Sequence, residues 1–402
     1  MRKLLIIIFI IICSGSLVFS LKQNFSQIVY CDDAMTKNEI EEKITESVNS
    51  QLNDLDFSSV EDVLNLLDNE QYELLGSASF FDKVQKLING EFSQNQQSLF
   101  SAVMNLIFEN ILSFVPIICL VIAIGITFSL VNASRPNSKN KSLGDVIHFV
   151  CFGAIIAILI GSITQMVSFT SNTIITIKKQ IDSIMPILLT IMTAIGGNVS
   201  VSMYQPTVAV LSGTITSIFT KILLPIFIIS MVFAIVSNLS NNVKLNKFTD
   251  FFASLFKWII GIVFTVFSAF LAIQGINAGN VDGISIRTAK YTIKNTVPIV
   301  GSYLADGLNL IVASSVLIKN AIGVCGLILL LVTILVPVLK LIVYMLSLKL
   351  TAAILEPVTD SKISNFITMI SKNISLLIVL ILGCAFSYVL VLGMVMCTAN
   401  VF

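Results

Sequence analysis

Charged residues are scarce in this 402-residue sequence, and that scarcity already limits its class. Only 12% of the residues are charged and 55% are hydrophobic, whereas a soluble domain carries about 25% charged residues. The mean hydropathy is +0.94. A water-soluble globule of this length is therefore excluded. A nucleic-acid-binding protein is excluded as well, because the basic residues are scattered between apolar runs and do not cluster on one face.

The sequence also lacks the residue groupings on which most enzymes and metalloproteins depend. It has one histidine and seven cysteines, but no CxxC pair and no cysteine–histidine cluster, so the pattern predicts no metal site. A phosphate-binding loop and the HExxH and GxSxG motifs are absent. We therefore predict no catalytic residues and no cofactor, and we interpret the cysteines as small apolar residues of membrane helices.

The few charges divide the chain into an acidic part and a basic part. Residues 32–110 hold 16 acidic and four basic residues, and residues 111–402 hold seven acidic and 17 basic residues. In the acidic part, apolar positions at helical spacing predict two or three amphipathic helices, with Ser58 and Glu61 as a capping box. We predict an acidic helical domain over 32–98 that packs on a partner or on the membrane domain.

The N-terminus has the pattern of a secretory signal. Arg2 and Lys3 precede the unbroken apolar run Leu4–Ile12, and small residues follow it. This order of charged, apolar and small residues is typical of a signal sequence. We predict that 1–31 is a signal peptide or an anchor, which places the acidic domain outside the cytoplasm.

The rest of the chain, 99–402, contains six apolar runs that are nearly or fully long enough to cross a bilayer. These runs are 111–131, 146–169, 222–237, 254–276, 321–347 and 374–398. Basic residues after the first, third and fifth runs place those loops in the cytoplasm. The sequence thus predicts an all-α, polytopic helical membrane protein with a small N-terminal helical extracytoplasmic domain. Six crossings are preferred, and eight or more are the alternative.

Two interrupted apolar segments, 181–220 and 284–318, each lie between an outgoing and a returning run. The first contains Pro186, and the second contains Pro298 and Gly301. We interpret both as broken or re-entrant segments, which membrane proteins tolerate only when they are buried in protein or line a wet cavity. Either they form an internal repeat, or they resemble each other by chance in a biased composition.

Charged side chains near apolar runs are the candidate functional residues, because such charges are costly in a membrane. The candidates for a polar pathway or an assembly surface are Arg287, Lys290, Asp306, Lys319 and Lys340. The alternative is that the lysines extend to the membrane interface and Asp306 is exposed. Separately, small residues recur every four positions on the second run and predict close helix packing. They are Gly153, Ala157 and Gly161.

The C-terminal third resembles the stage III sporulation protein AE family. The resemblance rests on Asp282-Gly283 with Arg287 and Lys290, Val297-Pro298-Ile299-Val300-Gly301 with Asp306, Lys319-Asn320 with Gly323 and Gly326, Pro337 with Lys340, and Leu355-Glu356-Pro357. It implies a multi-pass protein of endospore-forming bacteria, in the mother-cell-derived outer membrane around the forespore. It also implies a place in the stage III A transenvelope complex, with a separate ATPase and ring-forming proteins as partners and stage II sporulation protein Q as an indirect one.

On this basis we expect a non-enzymatic membrane component of that complex. Its expected role is that of an export-gate or permease-like subunit needed for late forespore development. The alternatives are an independent secondary transporter of a small solute and a purely structural membrane scaffold. Membrane lipid is an expected partner and nucleic acid is not.

Overall fold

The computed structural model describes residues 37–90, 96–133, 141–239, 245–296, 301–359 and 361–398. Every regular element within these ranges is a helix, which confirms the predicted all-α class. The predicted signal segment, 1–31, lies outside the described residues.

Four short helices form the N-terminal part of the fold. They are α1 (Lys37–Asn53), α2 (Ser58–Leu64), α3 (Asn69–Leu75) and α4 (Phe80–Ile88). Their apolar stripes are buried, as the helical spacing predicts. The predicted capping box at the start of α2 is not formed. The backbone N–H of Ser58 donates to Asp56 Oδ1 at 2.9 Å, and Glu61 Oε1 accepts from the backbone N–H of Phe80 at 2.6 Å, so Glu61 caps α4 instead.

Eight further α-helices follow in the described residues, and five of them are 37 to 55 residues long. They are α5 (Gln96–Ala133), α6 (Lys141–Ala194), α7 (Asn198–Ala209), α8 (Thr216–Ile218), α9 (Leu224–Leu239), α10 (Asn246–Thr296), α11 (Gly301–Leu355) and α12 (Ser361–Cys397). Two π-helical segments, Val210–Ile215 and Phe219–Leu223, join α7, α8 and α9 into one rod.

Six helical stretches among the described residues are long and apolar enough to cross a membrane. They are Ser101–Val131, Phe149–Ala194, Asn198–Asn238, Lys247–Gln274, Gly307–Leu355 and Lys362–Cys397. The class of helical multi-pass membrane protein is therefore confirmed, and the number of stretches equals the predicted number of crossings. The side on which each loop lies stays a prediction.

Five of the long helices exceed the thickness of the hydrocarbon layer, and three of them, α6, α10 and α11, exceed it more than twofold. The 55 residues of α11 correspond to about 82 Å of helix, against about 30 Å of hydrocarbon. Both interrupted segments fall at the far ends of such helices. In the first, α6 continues through Pro186, and the chain reverses at 195–197, where Gly196 has φ 95°. In the second, α11 begins at Gly301, and Pro298 lies outside the described residues.

Helices α11 and α12 form an antiparallel hairpin at the centre of the fold. Ser364 Oγ donates to the carbonyl of Ala352 at 3.0 Å, and Ser371 Oγ donates to the carbonyl of Met345 at 2.9 Å. Since a hydroxyl that bonds across helices needs no water, these serines are satisfied inside an apolar interior.

Close helix contact occurs at other glycines than the predicted ones. An added Cβ at Gly153 or Gly161 would meet no described heavy atom within 4 Å, and Ala157 is exposed. The inward face of α6 consists instead of Phe152, Ile155, Ile156 and Leu159. By contrast, a Cβ at Gly323 of α11 would lie 2.6 Å from the side chain of Met396 in α12. Within one chain, the glycine stripe of α6 therefore packs no helix closely.

Candidate functional site

Thr333 of α11 is the point at which three helices are joined by buried hydrogen bonds. Gln71 Nε2 on α3 donates to the Thr333 carbonyl at 3.0 Å, and Gln180 Nε2 on α6 donates to Thr333 Oγ1 at 2.6 Å. The Thr333 hydroxyl in turn donates to the carbonyl of Leu329 at 2.9 Å. Gln71, Gln180 and Thr333 are 6%, 0% and 1% exposed. Buried polar groups of this kind need partners, and here most of them have one.

The Thr333 carbonyl is available because of Pro337. In an α-helix the carbonyl of residue 333 accepts the N–H of residue 337, and a proline at that position has no N–H. The Gln71 side chain supplies the missing donor. Its other end is also engaged, because Gln71 Oε1 accepts from the backbone N–H of Asp68 at 3.0 Å. A single carboxamide thus fixes the start of α3 against a defect in α11.

Lys340 lies on the same face of α11 as Thr333, because seven residues make almost two full turns. Its Nζ is 2.8 Å from Glu70 Oε1 on α3. The same ammonium lies 4.9 Å from the ring centroid of Phe169 on α6. The two charged side chains are partly buried, at 18% exposure for Lys340 and 33% for Glu70. The cation therefore has a carboxylate on one side and an aromatic face on another.

The same polar surface continues along α11 toward its N-terminal end. Gln51 Nε2 of α1 donates to Ser314 Oγ at 2.7 Å, and Ser315 Oγ donates to Gln51 Oε1 at 2.6 Å. Ser47 Oγ lies 2.9 Å from Ser314 Oγ. We call the contacts of α1 and α3 with residues 314–340 of α11 the polar seam. The seam extends for about 39 Å of helix. The N-terminal helices thus pack on α11 of the same chain.

Helix α4 adds one partly buried cation to this contact region. Lys83 Nζ donates to the carbonyls of Gly76 and Ala78, which form the loop before α4. Burial lowers the pKa of Lys83 from its ordinary value, and the nearby Glu61 carboxylate opposes part of that shift. Lys83 and Cys325 of α11 line the same small gap between α4 and the hairpin.

A cleft of about 300 Å³ opens beside the seam, between α3, α6 and α11. Both Thr333 and Pro337 line it. Its other polar and aromatic lining residues include Asp68, Gln71, Phe169, Asn172, Thr176 and Lys179. The cleft thus combines a carboxylate, an ammonium, an aromatic ring and uncharged polar side chains in one space.

Lys319 and Lys340, the two predicted lysines whose side chains the structure describes, lie far apart along α11. Lys340 belongs to the seam, whereas Lys319 is 21 residues, or about 31 Å of helix, away. Lys319 is 0% exposed and donates from Nζ to the carbonyl of Thr398, just after α12. It therefore caps a helix C-terminus, where a cation is favourable, and its side chain is enclosed by protein. Tyr204 OH completes this end, 2.6 Å from Thr398 Oγ1.

The other predicted residues are placed only by their backbone. Arg287 and Lys290 lie in α10 and Asp306 lies in α11, and their side chains are outside the described part of the structure. Their membership of a polar pathway stays a prediction. Sequence reasoning missed Gln71, Gln180 and Thr333. A signal for Thr333 was present, because a proline within a helical pattern frees the carbonyl four residues before it.

The fold and the seam define a class of protein, namely a helical multi-pass membrane protein whose N-terminal helices are docked on an extended central hairpin. The chain belongs to the stage III sporulation protein AE family, whose profile matches residues 78–399. The match includes Gln180, Thr333 and Lys340 but begins after Glu70 and Gln71. The chain is also similar to the stage III sporulation protein AE of Bacillus subtilis (strain 168), with 23% identity over 291 residues, which cover 72% of this chain and 73% of the relative. No solved structure matches.

Proposed function

We propose that this chain is a non-enzymatic membrane component of the stage III A transenvelope complex that links mother cell and forespore. Family membership and the six candidate membrane stretches support this proposal. Its partners are then a separate ATPase and ring-forming proteins, with stage II sporulation protein Q as an indirect partner. Its location is the mother-cell-derived outer forespore membrane.

The N-terminal helices lie outside the hydrocarbon, on the extracytoplasmic side, in this proposal. Their exposed carboxylates, such as Asp54, Asp56 and Asp62, require water. The seam attaches these helices to α11, which needs only about 20 of its 55 residues to cross the hydrocarbon. If about the last 20 residues of α11 cross it, the seam around Ser314 and Thr333 lies outside the hydrocarbon and the Lys340–Glu70 pair lies near its boundary. The excess length of α11 over a bilayer agrees with this placement.

The polar seam is the observation that favours an export-gate role over a plain scaffold. A static scaffold is held together most simply by apolar packing, whereas the contact of α1 and α3 with α11 adds hydrogen bonds and one ion pair to the apolar packing of residues such as Leu52 and Leu75. Polar contacts specify one docked position at a modest net stability. A region of this kind can open and close without unfolding the hairpin beneath it.

Complementation and affinity purification in a spore-forming bacterium test the complex. The gene is replaced by a tagged copy, and membranes from sporulating cells are solubilised. We expect late forespore gene expression to depend on the gene, and the ATPase and ring-forming proteins to co-purify with the tag. Recovery without any other sporulation protein would contradict the proposal and favour an independent transporter.

A reversible lock on the seam separates a gate from a scaffold. The Ser47 and Ser314 hydroxyl oxygens are 2.9 Å apart, so a cysteine at each position can be joined by a disulfide in a background without the native cysteines. If docked helices must be released, the oxidised pair stops late forespore development and a reductant restores it. Each single cysteine variant is the matched control. Normal development with a fully oxidised pair would exclude gating at this seam.

A further inference from the structure

A four-residue repeat of buried apolar side chains runs along the rod of α7, α8 and α9. Each member of the repeat is at most 4% exposed. The members are Leu211, Ile215, Phe219, Leu223, Phe227 and Met231. An added Cβ at Gly383 of α12 would lie 3.7 Å from the Phe219 ring, and Met231 Sδ lies 4.0 Å from Asn373 Nδ2, also on α12. The repeat therefore keeps one face of the rod inside the protein from position 211 to position 231, over 20 residues.

A regular α-helix cannot keep such a repeat on one face. Five of its turns take about 18 residues, so residues four apart drift around the axis by about 40° at each step. Over five steps the drift reaches about 200°, which would turn Met231 to nearly the opposite side from Leu211. Each π segment of the rod holds one residue more than the α-helical turns that it replaces, which offsets about 100° of drift. Together the segments Val210–Ile215 and Phe219–Leu223 offset all of it, so the repeat accounts for both.

The backbone hydrogen bonds in this part of the rod do not follow the α-helical register. The N–H of Leu224 donates to the carbonyl of Phe219, five residues earlier, and the N–H of Phe219 donates to the carbonyl of Thr216, three residues earlier. The N–H of Thr216 is shared between the carbonyls of Gly213 and Leu211. A bond that is divided between two acceptors fixes neither register. Mid-helix segments of this kind are often found at functional sites and hinges.

Three local features make a change of register possible. Pro225 has no N–H, so the α-helical bond to the carbonyl of Lys221 cannot form. The hydroxyl of Thr216 donates to the carbonyl of Leu211 at 3.3 Å, so this carbonyl keeps a donor when the backbone bond moves. An added Cβ at Gly213 would meet no described heavy atom within 4 Å, so the first π segment is open on this side.

The two ends of the rod are fastened to different parts of the fold. Tyr204 OH of α7 lies 2.6 Å from Thr398 Oγ1, just after α12. Ser230 Oγ of α9 donates to the carbonyl of Thr249, near the start of α10, at 3.3 Å. Both π segments lie between these attachments. A change of register there can turn the middle of the rod while its two ends stay in place.

We propose that the two π segments form a twist joint, at which a π turn moves along the rod. The residues that this turn passes rotate by about 100°. Phe219 then leaves its place beside Gly383 of α12 and the Phe264 ring of α10, whose centroid is 6.3 Å from its own. The use of this motion in late forespore development rests on the proposed function, whereas the motion itself does not.

Removal of the two additional residues tests the joint. Deletion of Gly213 and Ile222 shortens the repeat to about 18 residues, so a continuous α-helix keeps the same side chains inside. The purified full-length protein is examined by thermal unfolding and by amide hydrogen exchange in detergent micelles. In the wild type, we expect the amides of 210–224 to exchange about tenfold faster than those of 226–236, because they open locally. The double deletion should keep the wild-type thermal midpoint, and this difference should disappear.

Deletion of Ile228 and Val232 is the matched control. Both are exposed residues of α9 outside the π segments, at 46% and 51%. Their loss would turn the last part of α9 by about 200°, so this variant should not fold. Deletion of Gly213 alone should fold and slow exchange in the first π segment only. In sporulating cells, the double deletion should be present in membranes at the wild-type level but stop late forespore development.

Three results would overturn the proposal. Equal exchange of the two stretches in the wild type would exclude a mobile joint. Failure of both Gly213 deletions to fold would exclude additional residues as the origin of the π segments. A folded double deletion that supports normal late forespore development would exclude a use for the joint. The first two results do not depend on sporulation, so they differ from a failure of the proposed function, in which the wild-type gene itself is dispensable.

Discussion

The bond between Gln71 and Thr333 predicts an unusual double-mutant result. Gln71→Leu removes the donor of the Thr333 carbonyl, and Pro337 cannot replace it. A buried unsatisfied carbonyl costs about 1–3 kcal/mol, and about 2 kcal/mol corresponds to roughly a thirtyfold change in an opening equilibrium. We therefore expect the α3 amides of Gln71→Leu to exchange hydrogen about thirtyfold faster than those of the wild type.

A second substitution tests the cause of this loss, which is the missing backbone N–H at Pro337. Pro337→Ala supplies a backbone N–H at position 337, which can bond to the Thr333 carbonyl within α11. In this background, Gln71→Leu should accelerate exchange by only a few-fold, which is a coupling of about 1–2 kcal/mol. Loss of the Asp68 contact occurs in both backgrounds and cancels. Pro186→Ala, a helix-interior proline change on α6, is the matched control and should give no rescue. Equal effects of Gln71→Leu with and without Pro337 would refute the argument.

The remaining predictions concern the ion pair, the buried lysine and the glycine contact. Glu70→Lys and Lys340→Glu should each weaken docking by about 1–2 kcal/mol, and the double exchange should recover most of it in the same hydrogen-exchange assay. Lys319→Met should fold with a slightly lower thermal midpoint. Lys319→Glu should fail to fold, because a buried carboxylate would face the C-terminal end of α12. A wild-type midpoint for Lys319→Glu would exclude the capping role. Gly323→Leu should destabilise by about 1–3 kcal/mol through overpacking, while Gly153→Leu in the same thermal assay should be nearly neutral, and equal losses would contradict the packing geometry.

Local patterns were sufficient for the class of the fold. Apolar runs of membrane length predicted helices that the structure contains, and amphipathic spacing predicted two or three N-terminal helices where the described residues form four. The exact helix ends were not accessible in this way. Hydropathy marks where a helix is apolar, but α6 and α11 continue as helices far beyond their apolar runs. Nothing in a hydropathy pattern reports such an extension, because helical hydrogen bonding does not require an apolar side chain.

The site was only partly predictable because its contacts join distant parts of the chain. Lys340 was a candidate from its position after a proline, but its partner Glu70 is 270 residues away. For Lys319, snorkelling was the expected alternative, and burial became possible only because the end of α12 returns to the same level of the fold. The glycine stripe of α6 packs no other helix closely within one chain, and its role in packing stays a prediction. Small residues permit close packing, yet the neighbouring helices decide which face is packed.

The stability of the seam has a consequence for how it could be controlled. The polar contacts, such as the Gln71 bond and the Lys340–Glu70 pair, contribute about 1–2 kcal/mol each, so a few of them amount to several kcal/mol beside the apolar packing of the same helices. Reversing a two-state equilibrium from 99:1 to 1:99 requires about 5.5 kcal/mol of differential binding, which one protein partner of moderate affinity can provide. Pro337 leaves the Thr333 carbonyl without a helical donor whether α3 is docked or undocked. When α3 is undocked, this carbonyl can therefore accept the Gln71 hydrogen bond again. The free Thr333 carbonyl that Pro337 leaves in α11 therefore favours the return of α3 to one defined docked position. Apolar packing alone would not specify that position.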